Sequence, residues 1–346
     1  MQSAESLGAA LDLPAPPATE AEAESLARAH FGVEARARAL SGERDRNFHL
    51  RDAAGRDYVL KVGHPAEDPA VLDLQGRALL HVAARDPSLP VPRVLLADGA
   101  PQAAWQAPGL PPRMVRLLTY LPGRPLAEVP ADAAQRRAIG ACLARLDLAL
   151  GDFRHPAEGH DLLWDLQRMA RVRPLLAEVP ADRRDLPLRF LDRFEAHVLP
   201  ALPGLRAQLV HNDFNPHNVL AAGDDDRRVA GIIDFGDMVR APLVQDVATA
   251  AAYQLSAAGL DGVAELAAAF HAVLPLRAEE VAVLADLTAA RLVLTIAISS
   301  WRAARHPGNA AYILRNQGRA WEGLRRLDAI PREAAVAALR AACPTG

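Results

Sequence analysis

Two short polar stretches hold the residues best suited to chemistry. The first, residues 211–218, contains Asp213 and three of the six asparagines of the chain. The second, residues 233–237, contains Asp234. Carboxylate and amide oxygens at this density can bind a hard cation together with a polyanionic ligand. The pattern therefore predicts a phosphotransfer site, and an ordinary polar surface turn is the alternative.

Two histidines in the first stretch raise the possibility of a metallohydrolase. His211-x-Asp213-x-x-x-His217 can offer three ligands to Zn²⁺. No further His or Cys cluster completes such a site in the sequence. We therefore expect His211 to be a structural hydrogen-bond partner of the loop. The sequence also lacks Gly-x-Ser-x-Gly, His-Glu-x-x-His and Cys-x-x-Cys motifs, so hydrolase and redox motifs are unsupported.

A single lysine stands among many arginines. Of the 39 basic residues, only Lys61 is a lysine. Lysine presents a compact point charge, whereas arginine presents a planar fork, and the two are not interchangeable in a tight phosphate site. The sequence therefore predicts that an ammonium group is required at position 61, with chance survival as the alternative.

Composition narrows the class of partner. The chain has 346 residues, a formal charge of −3 and no basic run, which argues against nucleic acid and anionic membranes as partners. Two cysteines fit a reducing, cytoplasmic location without disulfides. No signal peptide is evident, and no apolar run of membrane length lacks a charge such as Arg291. We expect a small-molecule partner, and the sequence leaves the oligomeric state open.

The elements that must position these residues change character along the chain. Residues 1–17 are predicted to form a flexible tail, and Thr19 is predicted to cap a helix from Glu20 to about His30. Extended segments and one helix then predict a small antiparallel sheet at 33–40, 47–52, 57–62, 91–95 and 114–120, with the helix at 69–84. A boundary near residues 117–121 divides an N-terminal lobe, 18–118, from a C-terminal lobe, 119–346.

The second lobe is predicted to be mainly helical. Apolar periodicity places helices at about 131–150, 183–198, 243–256, 261–273, 277–304 and 309–327. The polar loop 211–218 lies between two apolar pairs, Leu209-Val210 and Val219-Leu220. It is therefore expected between two short buried strands.

The order of these parts resembles a known family. His211-x-Asp213-x-x-x-x-Asn218, followed by Ile233-Asp234-Phe235-Gly236 and preceded by Lys61, is similar to the aminoglycoside phosphotransferase and choline kinase-like family. That resemblance covers about residues 30–325. It implies an α+β, two-lobed protein-kinase-like fold, with a small antiparallel-sheet N-lobe and a large, mainly helical C-lobe.

The resemblance implies a role for each main residue. Asp213 would orient the acceptor hydroxyl and take its proton, while Asn218 and Asp234 would hold Mg²⁺. Lys61 would hold the α- and β-phosphates of ATP or GTP. The similarity leaves the choice between the two nucleotides open and favours GTP modestly.

Further nucleotide contacts are predicted at the turn region 41–47, with an ordinary polar hairpin as the alternative. Gly42 would permit close backbone approach, and Arg44 or Arg46 would pair with phosphate oxygens. Gln75 stands where the family has a glutamate, so it is expected to accept a hydrogen bond from Lys61, with Asp73 on a different helical face. The residues assigned to the nucleotide are Ser41, Gly42, Arg46, Lys61, Gln75, Leu118 and Tyr120.

The acceptor is expected to be a small amino alcohol. Segments 42–48, 163–165 and 234–238 are most similar to hydroxylysine kinase-like proteins, which implies an acceptor like 5-hydroxylysine. Asp165 or Asp237 would meet its ammonium group, and Trp164 or Trp301 would offer an aromatic face. Homoserine and an aminoglycoside are alternative acceptors. A nucleotide-binding pseudokinase is the non-enzyme alternative, although it would be expected to lack one of the four main site residues.

Overall fold

The computed structural model of the protein describes residues 17–42, 45–107 and 109–345. The tail predicted for residues 1–17 lies outside the described residues, apart from Pro17. The first helix, α1 (Glu20–Phe31), begins as predicted at Thr19, whose hydroxyl accepts a hydrogen bond from the Glu22 backbone. It ends at Gly32, where a φ of +65° favours glycine.

An antiparallel sheet follows, which confirms the predicted fold of the N-terminal lobe. The strands are β1 (Ala35–Leu40), β2 (Arg46–Asp52), β3 (Asp57–Val62), β4 (Val94–Leu95), β5 (Ala103–Trp105) and β6 (Arg113–Thr119). Their order in the sheet is β1-β2-β3-β6-β4, with β5 paired to β6. Lys61 lies opposite Asn47 on one neighbour and opposite Arg116 on the other, so these side chains share one face. The other face packs Phe48 against α1.

The helix α2 (Pro69–Arg85) crosses between the sheet and the rest of the molecule. Asp68 caps it by accepting a hydrogen bond from the Ala70 backbone, and Pro69 occupies the first turn, where its missing N–H costs nothing. Gln75 lies on its buried face. The side chain of Gln75 therefore points inward, toward the site described below.

The C-terminal part is mainly helical, as predicted, with short strand pairs between the helices. The helices are α3 (Ala133–Leu150), α4 (Asp185–Arg193), α5 (Leu243–Ala252), α6 (Leu255–Val273), α7 (Ala278–Arg305), α8 (Ala310–Ile313), α9 (Gln317–Asp328) and α10 (Arg332–Ala342). The helix predicted at 309–327 is interrupted, because tight turns at Leu314 and Arg315 separate α8 from α9. The final helix, α10, was not predicted.

Helix α7 is the central helix of this part of the molecule. Within the described residues it is the one helix long and apolar enough to cross a membrane by length and composition. Its apolar window is 94% buried inside the protein, against α5, α9 and α10. Here it serves as a core helix, and its buried charges therefore require partners.

Two strand pairs carry the two polar stretches. The strands are β7 (Arg124–Pro125), β8 (Ala207–Val210), β9 (Val219–Ala221), β10 (Val229–Ile232) and β11 (Val239–Pro242). The loop 211–218 lies between β8 and β9, as predicted. Because β9 pairs with β10, the Ile233 N–H donates to the Asn218 carbonyl at 2.8 Å. The pairing brings the end of the first stretch against the start of the second.

Candidate active site

The backbone at the start of the loop 211–218 is held by the buried carboxylate of Asp246. Asp246, on α5, accepts hydrogen bonds from the backbone N–H groups of His211 at 2.8 Å and Asn212 at 2.7 Å. Asn212 has a left-handed φ of +64°, a conformation that needs such support. Asp246 therefore fixes the backbone immediately before Asp213.

A second buried carboxyl group lies behind the first. Asp147, on α3, is fully buried and hydrogen-bonded to Asp246. Burial, together with the charge of Asp246, holds the pKa of Asp147 well above its usual range. The protonated, neutral form of Asp147 is therefore favoured, and in that form its carboxyl group can donate to Asp246.

His211 makes hydrogen-bonding contacts with both polar stretches. The ring is buried; its Nε2 lies 3.2 Å from the Ile233 carbonyl, and its Nδ1 accepts the Asp213 N–H at 3.3 Å. Both ring nitrogens therefore have partners within the protein. No cluster of three or more His, Cys, Asp or Glu suited to a metal occurs among the described residues.

Asp213 is held through both carboxylate oxygens. Oδ1 accepts from Arg291 Nη2 at 2.6 Å, and Oδ2 accepts from Asn218 Nδ2 at 2.7 Å. Burial raises the pKa of Asp213 to about 6, and the charges of Asp237 and Asp234 add to this effect against the opposing charge of Arg291. Asp213 is therefore an oriented carboxylate that can accept a proton near neutral pH.

Arg291 is the main site residue that the sequence analysis missed. It lies on α7, 3% exposed, with its guanidinium 4.9 Å from the centre of the Trp164 ring and Nη2 3.3 Å from the Tyr253 hydroxyl. Although burial opposes its charge, the neighbouring Tyr253 and Asp213 raise its pKa. A charged residue within an apolar stretch of a long helix was the sequence signal, and nothing in the sequence alone assigned it a role in the site.

The donor set formed by Asn218 and Asp234 fits Mg²⁺. Asn218 turns its amide nitrogen toward Asp213, which directs its amide oxygen away from that carboxylate. Asp234 has a left-handed φ of +60°, and a Cβ at Gly236 would lie only 3.1 Å from its Oδ1. Asp213, Asp234 and Asp237 interact through their negative charges, which a divalent cation would offset.

The prediction for Gln75 was wrong. Lys61 Nζ instead pairs with Asp45 Oδ2 at 3.1 Å, and that oxygen also accepts from Arg116 Nη2 at 2.8 Å. Gln75 accepts a short hydrogen bond from Arg116 and donates to the Gly236 carbonyl at 3.2 Å. Arg116, which the sequence did not single out, therefore stands between Gln75 and the lysine's carboxylate partner.

The prediction that Arg46 binds phosphate is not supported by its position. Alternation along β2 places it on the face of Phe48, opposite to that of Lys61, and its guanidinium lies 5.3 Å from the Phe48 ring centre. Arg44, its alternative, lies outside the described residues. Gly42 does lie in a close approach, because a Cβ there would meet the Asp45 carbonyl. Ser41 is exposed beside it.

The hinge segment follows β6. Leu118 is half-buried between Val59 and Val94. The Tyr120 N–H donates to the Asp57 carbonyl at 3.0 Å, and the Thr119 N–H donates to the Arg93 carbonyl at 2.9 Å. Both N–H groups are therefore already used within the protein. A purine edge that binds at this segment would have to pair with backbone groups other than these two.

Asp165 is not placed to meet an acceptor amine. It is 1% exposed, and its carboxylate accepts from Gln167, Gln245 and Arg168. It caps the helical turns at Leu166–Glu178, which explains its position before them.

The two tryptophans predicted for the acceptor already bind arginines of the protein. The Arg291 guanidinium lies over the Trp164 ring, and the Arg305 guanidinium lies 4.6 Å from the centre of the Trp301 ring. Trp301 is ten residues beyond Arg291 on α7, roughly 15 Å along the helix axis. Of the four predicted acceptor residues, Trp164 contacts the arginine that pairs with Asp213. The charge of Asp237 acts on the pKa values of both Asp213 and Arg291.

A family model covers most of the chain. A model described as "APH: Phosphotransferase enzyme family" matches residues 36–283. The match includes the sheet, Lys61, Asp213, Asn218 and Asp234.

Curated relatives extend the similarity over most of the chain. Hydroxylysine kinase of Mus musculus is 28% identical over 89% of both chains. Hydroxylysine kinase of Bos taurus is 27% identical over 92% of both chains.

Solved structures share the fold at lower identity. The amicoumacin kinase hAmiN, in complex with AMP-PNP, Ca²⁺ and Ami, has a TM-score of 0.60 at 15% identity, over 86% of this chain and 89% of its own. A microcompartment-associated aminopropanol kinase has a TM-score of 0.59 at 20% identity, over 91% of this chain and 95% of its own. These likenesses confirm the two-lobed α+β architecture.

Proposed function

The chain belongs to the APH phosphotransferase enzyme family, and on that premise we propose that it transfers the γ-phosphoryl group of ATP or GTP to a small amino alcohol related to 5-hydroxylysine. It is a small-molecule phosphotransferase acting on a hydroxyl acceptor. The proposal concerns the donor and the acceptor. Similarity to a hydroxylysine kinase over 89% of both chains is the observation that carries it.

Asp213 would act on the acceptor hydroxyl. The hydroxyl oxygen forms a bond to the γ-phosphorus, the bond to the bridging oxygen of the nucleotide breaks, and the hydroxyl proton passes to Asp213. Each carboxylate oxygen has two lone pairs, so bonds from Arg291 and Asn218 leave capacity for the hydroxyl. Holding the carboxylate at both ends restricts its rotation, and this favours productive alignment.

Asn218 and Asp234 would hold Mg²⁺, which supplies charge neutralisation on the transferred phosphoryl group when bound. Lys61 would contact the donor phosphates from the sheet. Asp213 would then act on the acceptor side. This division gives each anionic residue one task.

For the acceptor amine we favour Asp237 over Asp165. Asp165 is committed to a buried network, whereas Asp237 is partly exposed and its charge reaches Asp213. An acceptor with its hydroxyl at Asp213 and its ammonium group at Asp237 would be an amino alcohol. The hydroxyl end of 5-hydroxylysine carries both groups.

A panel assay tests the proposal. Purified protein is incubated with Mg²⁺, ATP or GTP, and 5-hydroxylysine, 1-amino-2-propanol, homoserine or kanamycin, while nucleoside diphosphate release is followed. We expect release that depends on 5-hydroxylysine and is abolished in Asp213→Asn. Release with kanamycin but not with 5-hydroxylysine would overturn the acceptor assignment.

A further inference from the structure

The sole lysine of the chain is held by a carboxylate from an unexpected place. Lysine has a long side chain with four rotatable bonds, so a fixed ammonium position requires a partner. The partner is Asp45, immediately before β2, at 3.1 Å from the ammonium nitrogen. Helix α2 provides only the neutral Gln75 at the corresponding place.

The same oxygen of Asp45 holds a second cation. Arg116 Nη2 donates to Asp45 Oδ2 at 2.8 Å, and Arg116 is 5% exposed. Lys61 and Arg116 face each other across β3 and β6, so their charges would repel without the carboxylate between them. One carboxylate against two cations leaves a net positive charge, which suits a polyanion.

The pair of cations is also tied to the metal-binding turn. Gln75 accepts from Arg116 Nη1 and donates to the Gly236 carbonyl at 3.2 Å, two residues after Asp234. A continuous chain of polar contacts therefore runs from Asp45 through Arg116 to the turn 234–236. Displacing Asp45 would disturb both ends of it.

We propose that Asp45 is the positioning residue of the donor-phosphate site: it holds Lys61 and Arg116 side by side and supplies the anionic partner that helix α2 lacks. The inference rests on Lys61 meeting the donor phosphates, as proposed above. It requires no particular acceptor. Asp45 acts through the two cations and not by contact with the reacting atoms.

The decisive variant is Asp45→Asn, because it keeps the shape and removes the charge. We expect kcat to fall by about tenfold to a hundredfold, as for a misplaced catalytic group, with little change in the Kd of the Mg²⁺–nucleotide measured by calorimetry. The KM of the acceptor should remain near the wild-type value. Normal kcat with tighter nucleotide binding would mean that Asp45 only competes with phosphate, and would overturn the proposal.

A rescue experiment separates positioning from general stability. Gln75 Oε1 and Asp45 Oδ2 are bridged by one guanidinium group, so a glutamate at position 75 restores a carboxylate to the same cluster. We expect Asp45→Asn with Gln75→Glu to regain most of the lost kcat. A folded double variant as slow as Asp45→Asn would contradict the proposal. The matched control is Asp52→Asn, which removes an arginine-paired aspartate at the far end of β2 and should leave kcat unchanged.

The single lysine allows a direct observation in the unmodified chain and in each variant. Protein labelled with ¹⁵N-lysine gives one side-chain ammonium signal, from Lys61. We expect Asp45→Asn to shift that signal and Asp52→Asn to leave it in place. In the wild-type protein, Mg²⁺–nucleotide should shift the signal as well. A Lys61 signal that responds to nucleotide but is unaffected by Asp45→Asn would overturn the positioning role, and absence of any response to bound nucleotide would instead count against Lys61 as the phosphate ligand.

Discussion

Replacement of Arg291 by methionine should change the pH at which the enzyme becomes active. Asp213 must be ionised to accept a proton, so activity of the wild-type protein should fall as pH falls through about 6. Arg291 opposes the upward shift of that pKa. Its removal should therefore raise the pKa further, and the acid limb of the profile should move toward higher pH.

The size of the shift follows from the ion pair. Arg291 Nη2 lies 2.6 Å from Asp213 Oδ1, which places the charge centres about 4 Å apart; at an effective dielectric constant of about 20 the interaction is of order 4 kcal/mol. A carboxylate beside an arginine typically has its pKa lowered by about 1–3 units. We expect a displacement of about that size.

The assay is kcat/KM for the acceptor as a function of pH, at saturating Mg²⁺ and nucleotide. Arg291→Lys is the matched control, because it retains the positive charge while losing the planar stacking on Trp164. It should show a smaller displacement than Arg291→Met. Thermal unfolding of both variants checks that the core around α7 is intact. A methionine variant with reduced activity but an unmoved acid limb would refute the electrostatic reasoning.

Three other substitutions and one chemical treatment test separate parts of the structure. Lys61→Ala should lower kcat by about 10²–10³-fold, as for loss of a group that stabilises transition-state charge, and near-normal turnover would contradict its assignment. Asp147→Asn should leave activity near normal, since Asp147 is already neutral and the amide can still donate. Asp246→Ala should abolish activity and lower the free energy of unfolding by several kcal/mol, since two buried N–H groups lose their acceptor. If Asp147→Asn and Asp246→Ala lost activity and stability equally, the assignment of Asp147 as a neutral donor to Asp246 would be wrong. Burial raises the pKa of Cys142 to about 12, so Ellman's reagent should label it only after unfolding, and rapid labelling of the native protein would contradict the buried placement.

Motif spacing predicted that Asp213, Asn218 and Asp234 would lie together because these residues are close in sequence. Asp213 and Asn218 share one loop, and its flanking apolar pairs predicted the strands that hold it. Asp234 follows within a short hairpin. Local chemistry of this kind can be derived from one sequence.

The partners of these residues could not be predicted in the same way. Arg291 reaches Asp213 from 78 positions away, and Gln75 reaches Gly236 across 161. Such contacts depend on how helices and strands pack. Asp165 shows the opposite case, a residue whose role is local. An aspartate just before helical turns is typical of a helix cap, and capping explains why Asp165 stands there.

The position of Arg291 in the long helix α7 also sets the order in which the site can be completed during synthesis. At about 5–20 residues per second, the ribosome adds Arg291 roughly 4–16 s after Asp213. A nascent chain that has emerged only as far as residue 283, where the family match ends, carries both motifs but lacks the ion-pair partner of Asp213. The proposed site can therefore be completed only late in translation, after the central helix α7 has been made.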